Sequence, residues 1–402
     1  MTLKNATIVI ETRILTDCGG IMNNITLSDI KKNNTALIYQ LLYQKGKLSK
    51  QELASQLHLS LPTVTQNLVS LEEDGLIMKE GLFKSQVGRK AVAYTICPTA
   101  RIGIGVEIQK KKIQILSLDL KGTICHWTEH SLNYENNDLY YKETAYLVKD
   151  FILEHGYNTE KILGIGFAVQ GLTSTDGTEI IYGKTLGYTG LNIKAFSQHL
   201  NFPCSFLHDA KCAAGTELWF GNTMSHAIYL SIGKHLGSAL IMNGQIVMGK
   251  TGHCGAAEHI QLIPNGRKCY CGKTGCMETY CSMDALLNED ENQEAFFQAL
   301  RNHSKDELHR WEAFMEMLSS AINSLHTLLD CDIIIGGQIS SYLTEEDIRT
   351  LQTLCNEKSA FPDNEPFVFQ SKYLEHTVPV GAVLPYIQGF LEQFNSFTRL
   401  EG

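Results

Sequence analysis

The segment Gly255-Ala256-Ala257-Glu258-His259 is followed, ten residues after its histidine, by Cys269-Tyr270-Cys271-Gly272 and then by Gly275-Cys276-Met277-Glu278. One imidazole and three thiols make a full tetrahedral donor set. Soft sulfur with nitrogen selects Zn²⁺. Gly266, Gly272 and Gly275 let the backbone turn tightly enough for the four donors to converge. With four protein ligands no coordination position stays open, so the zinc is expected to be structural rather than catalytic. On chemistry alone His253 and His259 compete for the nitrogen position. Cys254 and Cys281 lie close by and can be ordinary buried thiols.

Composition sets the frame around this segment. A chain of 402 residues exceeds one domain of about 100–200 residues, so two or three are expected. Hydrophobic residues at 44% and charged residues at 19% describe a globular protein rather than a disordered or collagen-like one. No apolar run approaches the roughly 18–20 residues that span a bilayer. The N-terminus lacks the pattern of a signal peptide. The expectation is a cytoplasmic protein with no membrane partner, in which clustered cysteines bind metal. Residues 1–30 carry no clear period beyond Ala6–Ile10 and are read as an N-terminal extension, with Met22 as an alternative start.

The net charge is −9, but it is uneven: residues 31–98 sum to +4 and the remainder to −13. A small basic module on an acidic body points to a polyanionic partner. The module reads as a winged helix-turn-helix. A first helix is expected over about 33–45, with Leu37, Ile38, Leu41 and Leu42 on one face. Ser49-Lys50-Gln51-Glu52 is a capping box opening a second helix, stapled by Leu48 and Leu53. The third helix opens at Ser60 with Pro62 in its first turn and turns Val64, Leu68 and Leu71 inward. That leaves Ser60 at the helix start and Thr63, Thr65, Gln66 and Asn67 facing out, short polar side chains suited to phosphates and base edges. Gly75 is a left-handed stop. Two strands then flank a charged wing tip with Gly88, Arg89 and Lys90. His58 stands in the turn where many such motifs carry glycine.

From about residue 99 the pattern becomes α/β. Ile102–Glu107, Ile113–Asp119 and Thr123–Glu129 read as a strand meander and Leu139–Leu153 as a helix. Leu163–Val169 is a buried strand running into Gln170-Gly171. Ala227–Ile232 and Ser238–Met242 are strands followed by the hairpin turn Asn243-Gly244. Glu307–Leu329 is a long helix feeding the strand Asp332–Ile335. Alternating strands and helices place clefts at strand ends.

With these residues in view, the stretch from Gly249 to Ser282 resembles the ROK family of sugar kinases and sugar-responsive repressors. The family pattern is Gly-Glu-x-Gly-His, ten residues to Cys-x-Cys-Gly, then Gly-Cys-Leu-Glu. The spacing here is the same, which favours His259 over His253 and gives His259, Cys269, Cys271 and Cys276 as the zinc ligands. The likeness extends through Gly164–Gly171, His208-Asp209-Ala210 and Ile334-Ile335-Gly336-Gly337, and covers nearly everything from residue 31 onward. It implies an N-terminal winged helix-turn-helix, residues 31–98, followed by a two-lobed actin-like, sugar-kinase-like effector and dimerisation body, residues 99–402, with its cleft near residues 209 and 259.

The resemblance also frames the choice between enzyme and regulator. Family kinases hold ATP phosphates on Asp-x-Gly-Gly-Thr and Gly-Thr-Gly-x-Gly turns, whose glycines let the backbone approach. Here the turns read Glu107-Ile108-Gln109-Lys110-Lys111 and Gly233-Lys234-His235-Leu236-Gly237. The kinase base matches Asp209, and no catalytic residue is expected. Gly171, His208, Asp209, His259 and Glu278 are the implied effector-binding residues. Ala256 replaces the motif's glutamate, and Lys184-Thr185 stands where relatives often carry a sugar-contacting asparagine. The expectation is a homodimeric, or dimer-of-dimers, repressor that binds double-stranded operator DNA and is relieved by a sugar or sugar phosphate. A sugar kinase, or a regulator controlled by a protein partner, is the alternative.

Overall fold

The structure, a computed structural model, describes residues 27–82, 91–221 and 224–395. The chain begins with α1 (Leu27–Lys45), β1 (Leu48–Ser49), α2 (Lys50–Leu57), α3 (Leu61–Glu73), β2 (Ile77–Leu82) and β3 (Val92–Ile96). The first helix starts earlier than its apolar period suggests, because Asp29 in its first turn favours the helix dipole while the polar run Lys31–Asn34 hides the periodicity. The capping box at Ser49 is formed, with Glu52 Oε2 accepting from Ser49 N at 2.7 Å. His58 does sit in the left-handed region, φ 54°, a conformation that histidine adopts more readily than most side chains. The strands pair as β1-β3-β2.

The first body sheet contains β4 (Ile102–Ile108), β5 (Lys112–Asp119), β6 (Ile124–Ser131), β7 (Ile162–Val169) and, after the hairpin β8 (Leu172–Thr173) and β9 (Ile180–Tyr182), β10 (Cys204–His208). Helix α4 (Asp138–Glu154) and the short α5 (Lys194–Ser197) cover it, and α6 (Asp209–Phe220) leads to the second lobe. There β11 (His226–Ile232), β12 (Leu236–Met242), β13 (Gln245–Ile246), β14 (Asp332–Gly336) and β15 (Val368–Gln370) form a sheet against α7 (Glu278–Cys281), α8 (Met283–Leu286), α9 (Gln293–Arg301), α10 (Lys305–Leu329) and α11 (Glu345–Lys358). The chain returns as α12 (Thr377–Asn395).

Both sheets share one plan. Their orders are β6-β5-β4-β7-β10 and β13-β12-β11-β14-β15, each an antiparallel meander extended by two parallel strands. Parallel strands joined by crossovers leave an open crevice at their carboxyl ends. Gln170-Gly171 and Asp209 lie at such ends.

Glycines on β4 and β7 seat α12. A Cβ on Gly105 would lie 2.0 Å from the Pro379 carbonyl, and one on Gly166 would lie 2.0 Å from that of Ala382. The obstacle is backbone, so it cannot rotate away. Gly166→Val is therefore expected to destabilise by several kcal/mol, on the order of the largest single-site effects. Gly389, in the same helix with open space around it, should accept alanine with a gain of up to about 1 kcal/mol. Thermal unfolding of the two variants checks both signs.

The winged helix is joined to the body through a common core. Ile38, Tyr39 and Leu42 of α1 pack with Leu116, Leu118, Val383, Leu384 and Ile387. Tyr39 stacks on Phe394 at 4.2 Å. The Tyr43 hydroxyl donates to the Leu120 carbonyl at 2.8 Å.

Candidate functional site

The third helix is capped as its sequence requires. Ser60 Oγ accepts from Thr63 N at 3.2 Å and lies 2.8 Å from Thr63 Oγ1. Val64, Leu68 and Leu71 are buried, Thr63 and Thr65 half-buried, and Gln66 exposed. Asn67 corrects the expectation of an outward reader: it is 2% exposed. Its Nδ2 donates to the Thr63 carbonyl at 2.8 Å, and its Oδ1 meets the Thr35 hydroxyl at 2.5 Å. Position 67 follows Val64 by three and precedes Leu68, so it lies on the inward face, where an amide can tie α3 to α1. The outward face instead carries Leu61 and Val69, 48% and 46% exposed. Apolar side chains are not an obvious choice for an outward face, yet such groups suit thymine methyls. Gly88, Arg89 and Lys90 lie outside the described residues. Asn67→Ala should lower stability by about 1–3 kcal/mol, since it removes the hydrogen bonds to the Thr35 hydroxyl and the Thr63 carbonyl and leaves a small void on the inward face. Gln66→Ala should leave the melting temperature unchanged and alter affinity for DNA. Melting curves and DNA titrations of the two variants separate these effects.

The second site is a narrow cleft between the lobes. Gln170 and Gly171 enter it from the end of β7, and His208 and Asp209 from the junction of β10 and α6. The turn between β11 and β12 adds His235. The irregular segment after β13 adds Glu258, His259 and Tyr270, while Tyr182, Lys184 and Thr185 close the outer side. Sequence reading passed over Tyr182, His235 and Tyr270. Tyr270 is flanked by two metal-type cysteines, which was its available signal.

Asp209 is the first residue of α6, and its Oδ1 accepts from Ala210 N at 2.8 Å. Burial pushes its carboxyl up to about 6. Burial likewise pushes Glu258 up to about 7, although the Ser238 hydroxyl donates to it at 2.7 Å. His208, 3.3 Å from Asp209, is driven down to about 3 by burial and by Lys211, so it is neutral and supplies no counter-charge. Lys211 Nζ is turned away to the Gly252 carbonyl. The floor therefore carries two carboxyl groups without a cation, suited to accepting hydrogen bonds from ligand hydroxyls. Lys184 is the exposed cation at the rim, its Nζ 3.5 Å from the Cys271 carbonyl.

Glu278 lies behind this wall rather than on it. Its Oε1 is 2.8 Å from His235 Nδ1 and its Oε2 accepts from Leu236 N at 2.6 Å. The carboxylate thus occupies the Gly233–Gly237 turn, spending a backbone donor that a phosphate would need.

His259, Cys269, Cys271 and Cys276 converge, with one donor atom from each within 4.8 Å of all the others. Cys271 and Cys276 sulfurs are 3.7 Å apart, and His259 Nδ1 is 3.8 Å from Cys269 Sγ. Metal–sulfur bonds of about 2.3 Å in a tetrahedron demand sulfur separations of about 3.8 Å, so this donor set fits a tetrahedral metal. Gly275 permits the convergence: its φ is +78° and a Cβ would collide with the Ile263 carbonyl. His253 is exposed and bonded to Thr251, outside the cluster. The Tyr270 hydroxyl lies 3.4 Å from His259 Nε2, where it can fix the ring.

No helix among the described residues is long and apolar enough to cross a membrane. A sequence model of the ROK family matches residues 103–383, and one of winged helix-turn-helix DNA-binding segments matches residues 33–78. The xylose repressor of Bacillus spizizenii is 27% identical over 268 residues, covering 66% of this chain and 70% of that protein. In three dimensions the chain is similar to a ROK family transcriptional regulator that is a homologue of the Escherichia coli MLC protein, with a TM-score of 0.74, 19% identity, and coverage of 93% of this chain and 100% of that one. It is also similar to a ROK glucokinase from Streptomyces griseus in complex with glucose and AMPPNP, with a TM-score of 0.62, 19% identity, and coverage of 72% and 100%. Both structural likenesses concern the fold.

Proposed function

The chain belongs to the ROK family, and from that premise we propose that it is a DNA-binding repressor of carbohydrate-utilisation genes, released from its operator by a sugar or sugar phosphate. The observation that carries this reading is the common core of α1 and α12. It packs the DNA-binding module directly against the body that carries the ligand cleft. Ser60, Thr63, Thr65 and Gln66 face the operator, and Gly88, Arg89 and Lys90 contribute further contacts to it. Gly171, His208, Asp209 and His259 take the effector, with Lys184 at the rim for a phosphate. Glu278 acts from behind through His235.

Kinase activity is disfavoured by the turn that His235 and Glu278 close. An ATP phosphate there would meet a carboxylate and a spent donor. Zinc, held by His259, Cys269, Cys271 and Cys276, would pin the loop bearing Glu258 and Tyr270 against the cleft. It has a structural part and no part in chemistry. A homodimer in the cytoplasm, binding a two-fold operator, completes the reading.

Sequencing the genomic DNA fragments bound by the protein, then titrating the bound operator with sugars and sugar phosphates, tests it. Release by a carbohydrate that also raises the melting temperature supports the proposal. ATP-dependent sugar phosphorylation by the wild type would overturn the regulator-only claim, and indifference to every carbohydrate would favour control by a protein partner.

A further inference from the structure

Helix α3 has its core face complete with Val64, Leu68 and Leu71, none of them more than 1% exposed. Leu61 and Val69 are left outside at 48% and 46% exposure. Thr65 lies between them at steps of four residues, so the three side chains form one row along the outer face. Gln66, which is exposed, stands beside that row. Two branched aliphatic side chains in water forgo the hydrophobic gain of burial, and the core does not require them outside.

The surroundings show what the row meets. No acidic residue occurs from Leu53 to Leu71. Glu72, Glu73 and Asp74 then come together at the far end of the helix, where Glu73 and Asp74 are exposed and Glu72 is paired with Lys79 at 2.6 Å. Phosphates are therefore tolerated along the first turns of α3 and repelled at its last, on a module whose charge sums to +4. From Leu61 to Val69 the row is about 12 Å long, the height of about three to four base pairs. Two aliphatic side chains are far too little for a protein interface, which needs about 800 Å² on each side. They match a surface that offers one apolar group at a time. In the major groove that group is the C5-methyl of thymine, and the adenine paired with it presents N6 and N7 to an amide such as that of Gln66.

We propose that Leu61 and Val69 are specificity-determining residues that read thymine methyl groups in the major groove, with Gln66 on a paired adenine, so that each half-site is A·T-rich beneath α3. This readout rests on the operator reading and supplies the base chemistry which that reading leaves open.

Duplexes selected by the full chain from a random library, then remade with deoxyuridine in place of each thymidine in turn, test it. Uracil pairs as thymine does and differs only by the missing methyl, so hydrogen bonds and phosphate contacts are preserved. The wild type should select A·T pairs beneath α3 and lose about fourfold in affinity at each methyl it reads, the worth of one buried methyl-sized group. Leu61→Ala should abolish that loss at one position, and Val69→Ala at another about three base pairs away. Gln66→Ala should keep both methyl effects while relaxing the preference for adenine. All three side chains are exposed, so unchanged melting curves should accompany these effects. Selected duplexes indifferent to every deoxyuridine, or alanine variants that keep the wild-type pattern of losses, would overturn the readout and leave the operator reading in place. A full chain that selects no sequence at all would overturn both.

Discussion

Cys276→Ser is expected to leave the protein without its metal and to release the loop that walls the cleft. The thiol is 2% exposed and sits 3.7 Å from the Cys271 sulfur, so a serine there leaves three donors around an ion that wants four. Between Ile260 and Cys276 the described chain has no helix or strand of its own, and isolated bridges such as Lys268↔Thr274 are its regular pairing. A segment with so little other structure would depend for its order on a zinc held by these four donors, because binding free energy is folding free energy there. Metal analysis should fall from one zinc per chain to none. Hydrogen exchange should rise sharply over residues 260–276 while the sheet of the first lobe keeps its protection. His253→Ala, at an exposed position outside the cluster, should change neither. Wild-type protein purified without chelators and found free of zinc would remove the metal from the account.

The parts of the fold that local chemistry determines were legible in the sequence. Ser49 and Ser60 announced helix starts because a cap needs a particular side chain at a particular offset. The meander over residues 102–131 was visible because its strands alternate and its turns need special residues. Features set by distant neighbours were not. Gly105 and Gly166 read as members of buried strands, and nothing nearby in sequence revealed that Pro379 and Ala382 require their missing side chains. The shared plan of the two sheets leaves no repeat in the sequence, since topology does not fix residue identity. Asn67 was assigned to the outside by its polarity, whereas the Thr35 hydroxyl, 32 residues away, makes it an inside residue. The same limit applied to the cleft. The motif pointed to Glu278 as a contact residue, but its carboxylate is taken up by His235 and Leu236 N, from a turn more than 40 residues earlier.

Asp209→Asn should give a super-repressor, bound to its operator at inducer levels that release the wild type. The carboxyl faces the cleft, and burial holds it up to about 6, above the ordinary aspartate value of 3.8. A group whose folded pKa is raised favours the protonated form, so its stabilising contribution is present below about 3.8 and lost as pH rises through about 6. At neutral pH the wild type therefore holds an unfavourable anion, and a neutral amide should not weaken the fold. What it loses is the charge-assisted hydrogen bond to a ligand hydroxyl, stronger than an amide's by about 1 kcal/mol or more. An inducer moves the DNA-binding equilibrium only by its differential affinity for the two conformations. Asp209 also stands at the head of α6, and α6 meets α12 at the backbone: a Cβ on Gly381 would lie 1.9 Å from the Cys212 carbonyl. Helix α12 in turn carries Phe394, stacked on Tyr39 of the DNA-binding module. A displacement of α6 therefore has no soft side-chain layer to absorb it before it reaches α12, and the Phe394–Tyr39 stack carries it on to α1. Operator release curves against inducer should shift about tenfold to higher concentration in Asp209→Asn, with operator affinity and melting temperature near wild type at neutral pH. Coincident release curves would show that Asp209 takes no part in sensing and would shift the account toward a protein partner.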